Sequence, residues 1–249
     1  MQVLIFQHVA SERPAAFSDH IAAAGDTAHV VRFYQGDPIP ALTAFDALIV
    51  MGGPMDVWES HSHRWLIAEK AAIARWVRDL GKPYLGICLG HQLLVDALGG
   101  TCQPLATPTV AIGPVARTGA PDLVFDTLPA RFPVLQWHGV AATRLPPDSI
   151  TLAGSPACRH QAIRVGPHAW GVQFHPEITA GLVRGWLTDP ANMAAAVQWF
   201  GSQNATEAFV TECDAHSGDA LVQSATLYEG LRRSVPAQTP IGRAPPRPG

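Results

Sequence analysis

A cysteine lies between two glycines in Gly86-Ile87-Cys88-Leu89-Gly90, where an apolar run gives way to a helical pattern. A thiol at such a strand-to-helix junction can serve as a nucleophile. The tight turn holds it exposed, a side chain on either glycine would clash, and the start of a helix favours negative charge. The N–H of Leu89 then points to where an oxyanion would form. A thiolate of this kind needs a proton shuttle, and Gly171-Val172-Gln173-Phe174-His175-Pro176-Glu177 supplies one. An apolar strand ends at His175, and Glu177 can accept a hydrogen bond from the imidazole and fix its tautomer. Other candidates carry less chemistry. His61 and His63 precede a helix without partners to complete a metal site and read as a solvated loop. Cys102, Cys158 and Cys213 lack a neighbouring base and read as buried thiols.

Alternating strands and helices position these residues. Val3 to Phe6, Ala28 to Phe33, Ala47 to Met51 and Pro83 to Ile87 are short apolar runs that read as buried parallel strands. Pro14 to Ala24, Arg64 to Leu80 and Leu89 to Leu98 carry helical spacing, and Gly25, Gly81 and Gly99 stop them. In a parallel sheet covered by helices, ligands bind beyond the carboxyl ends of the strands. Gly52-Gly53 and Cys88 both fall just after a strand. From Thr101 to Phe174 short β runs (Val110 to Arg117, Val134 to Trp137, Thr151 to Ala153, Ala162 to Val165, Trp170 to Phe174) separated by Pro and Gly predict antiparallel hairpins added to the sheet. Helices are expected over Ala180 to Leu187, Asn192 to Cys213 and Asp219 to Arg233. Residues 1–234 read as one domain, and 235–249 as a proline-rich, mobile tail.

Composition narrows the function. The chain has 249 residues, a net charge of −3, 47 % hydrophobic and 15 % charged residues. It is too apolar to be disordered throughout, and it lacks the basic excess that nucleic-acid binding requires. No run approaches the ~20 apolar residues of a membrane span. The absence of a targeting segment and the scattered cysteines predict a reduced, cytoplasmic setting.

The sequence resembles the class I (triad-type) glutamine amidotransferases, in the free-standing branch similar to the GMP-synthetase amidotransferases. GICLGHQ at 86–92 matches the family's elbow and GVQFHPE at 171–177 its His-Glu segment, in the right order. MGGPMDVWE at 51–59 and QWHG at 136–139 extend the resemblance over roughly residues 1–190. It implies an α/β fold: a flavodoxin-like, doubly wound, mostly parallel sheet with helices on both faces and an added antiparallel section. It also implies that Cys88 attacks the side-chain amide of glutamine to give a γ-glutamyl thioester, that His175 activates the thiol and protonates the leaving amine, and that Glu177 orients His175. Gly53 and Leu89 would donate the oxyanion hole. Gln92, one helical turn from Cys88, would reach the amino-acid end of the substrate, with Trp137 and His138 as further contacts. No cofactor or metal is implied. Val140 departs from the Asp usual after His-Gly in the GMP-synthetase-like branch. No GxxxxGK[ST] phosphate loop is present, so a separate synthetase subunit would take the ammonia. A γ-glutamyl peptidase using the same triad is the alternative enzyme, and a catalytically silent regulatory or assembly subunit the alternative of another class.

Overall fold

The computed structural model describes residues 1–179, 181–188 and 190–236. One nine-stranded mixed sheet organises the chain, in the order β2-β1-β3-β4-β9-β8-β7-β5-β6. Its parallel part contains β1 (Gln2–Gln7), β2 (Thr27–Arg32), β3 (Ala47–Val50), β4 (Tyr84–Ile87) and β9 (Ala169–Val172). The added section, β8 (Ala162–Val165), β7 (Ser149–Gly154), β5 (Thr101–Arg117) and β6 (Arg131–Arg144), is antiparallel. The chain winds outward in both directions from β1, so the switch point lies between β1 and β3.

The inner parallel strands β1, β3, β4 and β9 are buried because both faces are covered, whereas the edge strand β2 is largely exposed. In β1, Leu4 and Phe6 face one cluster while Val3 and Ile5 face the other, the two-residue period of a strand. The first cluster packs under α2 (Trp65–Ala74) and α3 (Leu89–Ala97) through Leu66, Ile73, Leu93 and Leu94. The second packs under α1 (Ala16–Ala23) and α7 (Ser217–Arg233) through Phe17, Ile21, Leu227 and Leu231. A third cluster joins α4 (Leu182–Trp186), α5 (Pro190–Phe200) and α6 (Gln203–Ala215) to Leu135 and Trp137 of β6.

Four expectations change. The run expected at Trp170 to Phe174 among the antiparallel hairpins is β9, antiparallel to β8 but parallel to β4, where it closes the parallel part of the sheet. The helix expected over Asn192 to Cys213 is two helices: Gly201 turns left-handed at φ 81°, and the Ser202 hydroxyl accepts from the Ala205 N–H at 3.1 Å to cap α6. The helix expected to run to Leu80 leaves α-geometry after Ala74, and a π-turn over Arg75–Asp79 is closed by Leu80 N–H to Arg75 C=O at 3.0 Å. The expected short run at Val110 to Arg117 is the end of a 17-residue strand. Pro104 and Pro108 broke the sequence pattern, yet a register shift between Pro104 and Thr109 absorbs them, as strand irregularities do. Position 180, where a helix was expected to start, and the tail from 237 onward lie outside the described residues. Among the described residues no helix is long and apolar enough to cross a membrane.

Candidate active site

Cys88 sits between β4 and α3 with φ 49° and ψ −101°. A non-glycine residue in that region stores roughly 1–3 kcal/mol of backbone strain and persists only when its surroundings enforce it. They do so here. A Cβ at Gly86 would overlap the Gly90 carbonyl, and one at Gly90 would overlap the Val50 carbonyl. Both glycines are therefore demanded by close backbone approach. The Cys88 N–H donates to Val172 C=O at 2.8 Å, tying the turn to the neighbouring strand.

β9 ends at Val172 and delivers His175 to the same rim. The His175 N–H donates to Leu135 C=O at 2.9 Å, its Nδ1 faces Glu177 Oε1 at 2.8 Å, and its ring stands edge-on to Trp186 at 5.1 Å. His175 and Cys88 line the same cleft, and the Cys88 Sγ lies 3.9 Å from the Trp137 carbonyl oxygen. Burial by itself pushes the His175 pKa down. The charges of Glu177 and Cys88, with the hydrogen bonds from both, override it and hold the imidazole well above its ordinary value. Burial pushes the thiols of Cys102 and Cys213 up to about 12 and that of Cys158 up to about 11.

A cleft of about 1050 Å³ opens over this pair and is lined by Gly53, Cys88, Gln92, Trp137, His138 and His175 among others. Glu177 lies behind His175, buried. Six of the eight residues singled out in the sequence therefore share one wall, while Leu89 offers only backbone and Glu177 supports from behind. Among the described residues neither the Gly53 N–H nor the Leu89 N–H has a protein acceptor. Gln92 is buried, and its amide is already engaged: Nε2 donates to Val140 C=O at 3.1 Å and to Gln173 Oε1 at 3.2 Å. The His138 Nδ1 donates to Val140 C=O at 3.0 Å, and burial brings this histidine down to about 4 and keeps it neutral. His61 is exposed and His63 half-buried. Among the described residues no group of three or more His, Cys, Asp or Glu side chains could hold a metal ion.

Four polar residues of the site have no role in the sequence reading. Gln173 donates from Nε2 to Cys88 Sγ at 3.7 Å and links it to Gln92. Glu12 reaches into the cleft from the loop after β1, its carboxylate against Gly52 and its Oε2 sealed from solvent without a partner among the described residues. Burial raises its pKa, Glu177 adds to the rise, and His175 and His8 oppose it. His8 and Glu69 form a fully buried pair at 2.9 Å behind the glycine turn. Only Glu69 left a signal: it falls on the apolar stripe of α2, three residues after Leu66 and four before Ile73.

The comparisons with known proteins agree with this architecture. The family model described as "Glutamine amidotransferase class-I" matches residues 16–185, and the chain belongs to that family. Over 133 residues it is 35 % identical to a GMP synthase [glutamine-hydrolyzing] from Streptococcus pneumoniae, an alignment covering 53 % of this chain and 24 % of the relative. The chain thus matches about a quarter of that relative's length. A glutamine amidotransferase structure from Methylobacillus flagellatus superposes with a TM-score of 0.85 at 24 % identity, covering 98 % of each chain. One from Thermotoga maritima superposes with 0.83 at 21 % identity, covering 93 % of this chain and 97 % of its own. At these identities the likeness shows a shared fold.

Proposed function

We propose that the chain releases ammonia from the side-chain amide of glutamine through a covalent intermediate on Cys88. The convergence of Cys88, His175 and Glu177 at one rim of the sheet carries this reading. An imidazolium held above its ordinary pKa beside the sulfur favours a thiolate–imidazolium pair. The thiolate attacks the amide carbon, and the tetrahedral oxyanion takes hydrogen bonds from the N–H groups of Gly53 and Leu89. His175 gives its proton to the leaving nitrogen, the C–N bond breaks, and ammonia departs from a γ-glutamyl thioester. Water, deprotonated by His175, then cleaves the C–S bond to give glutamate and restore the thiol. Glu177 holds the Nδ1–H tautomer throughout. Gln92 acts by fixing Gln173 and the strand at Val140, while Trp137 and His138 shape the wall that receives the amino-acid end. The ammonia goes to a separate synthetase subunit. The four free thiols suit a reducing, cytoplasmic setting.

One observation favours a second reading, hydrolysis of γ-glutamyl peptides with the same groups. The cleft of about 1050 Å³ is at the upper end of the roughly 300–1,000 Å³ that holds a drug-sized ligand, more than one amino acid fills. The test is a panel of glutamine and γ-glutamyl dipeptides assayed for ammonia, amine and glutamate, with iodoacetamide labelling alongside. Turnover that disappears in Cys88→Ser, with Cys88 alkylated ahead of Cys102, Cys158 and Cys213 at neutral pH, is expected. Full activity in Cys88→Ser refutes the mechanism, and the preferred substrate decides between the readings.

A further inference from the structure

The chemistry proposed above needs the Gly53 N–H to point into the cleft, and glycine pairs are the segments least able to hold a peptide plane in one orientation by themselves. Something outside the turn must do it. Among the described residues no peptide bond is cis. In a trans peptide the C=O and the N–H point in opposite directions, so whatever grips the Gly52 carbonyl also aims the Gly53 N–H. The Gly52 carbonyl is gripped from the buried side: His8 Nδ1 lies 2.8 Å from it. A carbonyl can only accept, so Nδ1 carries the proton. The other ring nitrogen, Nε2, lies 2.9 Å from Glu69 Oε1, and both side chains are fully buried.

We propose that the buried His8–Glu69 pair is the device that sets the oxyanion donor, by locking the Gly52–Gly53 peptide with its N–H toward Cys88. The assignment rests on the thioester reading. His8 and Glu69 touch no substrate and act as positioning residues. Neighbours pack closely around both glycines. A Cβ at Gly53 would lie 2.6 Å from Met55 Sδ, 2.8 Å from Leu89 Cδ2 and 3.1 Å from His8 Cβ, and Glu12 presses on Gly52 from the cleft. A flipped peptide would turn an N–H toward the protonated Nδ1, donor against donor, and a carbonyl oxygen toward the oxyanion. Burial works against charge on His8. Glu69 outweighs it through its charge and hydrogen bond, helped by the Gly52 carbonyl and Glu12, so the pKa is raised. A histidine and a glutamate that the catalytic steps do not use, one at the end of β1 and one in the apolar stripe of α2, thereby acquire a function.

The variants separate positioning from packing. His8→Leu alone strands a buried carboxylate, so the decisive protein is the double variant His8→Leu/Glu69→Leu, in which an apolar pair replaces an ionic one at similar volume. Its kcat is expected to fall about 10²-fold, the scale of losing one oxyanion donor, with KM little changed. Alkylation of Cys88 by iodoacetamide, a displacement that forms no oxyanion, should stay within about threefold of wild type. His8→Asn/Glu69→Leu, which puts an amide donor at the position of Nδ1 without stranding the carboxylate, should recover most of the loss. So should Glu69→Gln, whose amide can donate to Nε2 and keep the proton on Nδ1. A folded double variant with wild-type kcat, or one losing alkylation and turnover equally, overturns the proposal. If the wild-type protein turns over no γ-glutamyl amide, the thioester reading fails by itself. The crystal structure of the double variant then judges the lock: a Gly52–Gly53 peptide left in its wild-type orientation overturns it, and a flipped or multiply oriented one upholds it.

Discussion

Gly90→Ala should damage stability and catalysis together, although alanine is the better helix former. In an open helix the replacement gains about 1 kcal/mol. Here the new methyl would overlap the Val50 carbonyl oxygen, with the carbonyl carbon at 2.8 Å and Val50 Cβ at 3.0 Å. Val50 cannot retreat, because β3 is paired on one side with β1 and on the other with β4. The start of α3 must move instead, and Cys88 moves with it. Overpacking costs roughly 1–3 kcal/mol, and against rigid backbone the upper part of that range applies, about 2–3 kcal/mol, so the net change is a loss of about 1–2 kcal/mol after the helix gain of about 1 kcal/mol. At about 2–4 °C per kcal/mol for a chain of this size, Tm should fall by roughly 2–8 °C. A displacement of the nucleophile approaching 1 Å should lower kcat/KM by about 10²-fold. Gly218→Ala, in the first turn of α7 with nothing within 4 Å of the new methyl, is the control and should leave Tm equal or higher and activity unchanged. Calorimetry and glutaminase kinetics on the three proteins check this. A Gly90→Ala protein as stable and as active as wild type would refute the argument that the elbow's glycines are set by backbone approach.

Two further outcomes follow from the electrostatics. Glu177→Gln should keep the hydrogen bond to Nδ1 while removing the charge, so kcat should fall by about 10- to 200-fold, the range that 1.5–3 kcal/mol of charge-assisted bonding implies. Because Glu177 raises the His175 pKa, the alkaline limb of the kcat/KM profile should move to lower pH; an unmoved limb would contradict the assignment. Tyr228→Phe removes the 2.7 Å hydrogen bond from α7 to the carboxylate of Asp26 and should cost about 1 kcal/mol in urea unfolding at neutral pH. Burial pushes the Asp26 pKa up, but hydrogen bonds from the Met1 amino group, Tyr228 and Arg232 bring it below the ordinary value. The native state therefore gains stability from Asp26 above the unfolded pKa near ~4, and loses it as pH falls through the folded value. The deficit of Tyr228→Phe should shrink in that acid window, and a deficit independent of pH would show that the hydroxyl merely packs.

Four of the five parallel strands were legible because each is a short run closed by a turn, and the helices between them carry their own period and their own glycine stops; β9, expected among the antiparallel hairpins, joins the parallel half only through its pairing with β4. The antiparallel half was legible as hairpins but not in extent. Pro104 and Pro108 interrupt the pattern of β5, and only the partner strand, with its shifted register, shows that the pairing continues past them. The break between α5 and α6 was written in Gly201-Ser202, a left-handed glycine followed by a capping serine. Apolar spacing on both sides concealed it.

The site divides along a different line. Cys88, His175 and Glu177 announce themselves because each is the chemical point of a local motif, readable within seven residues. The groups that tune them act across the fold. Gln173 meets Cys88 from 85 positions away, and His8 meets Glu69 from 61. No local pattern encodes such a pairing. The sequence instead carries its cost: an ionisable residue where the helical period demands an apolar one. Glu69 between Leu66 and Ile73 is that exception in α2, and His8 follows the apolar run of β1. Burying one charge alone is prohibitive, so a buried glutamate on a helix that covers a parallel sheet implies a buried cationic partner, and a strand end at the rim is the nearest place for it to stand. Reading such exceptions as pairs, rather than as noise in the period, would have led from α2 to His8 and from His8 to the glycine turn it holds.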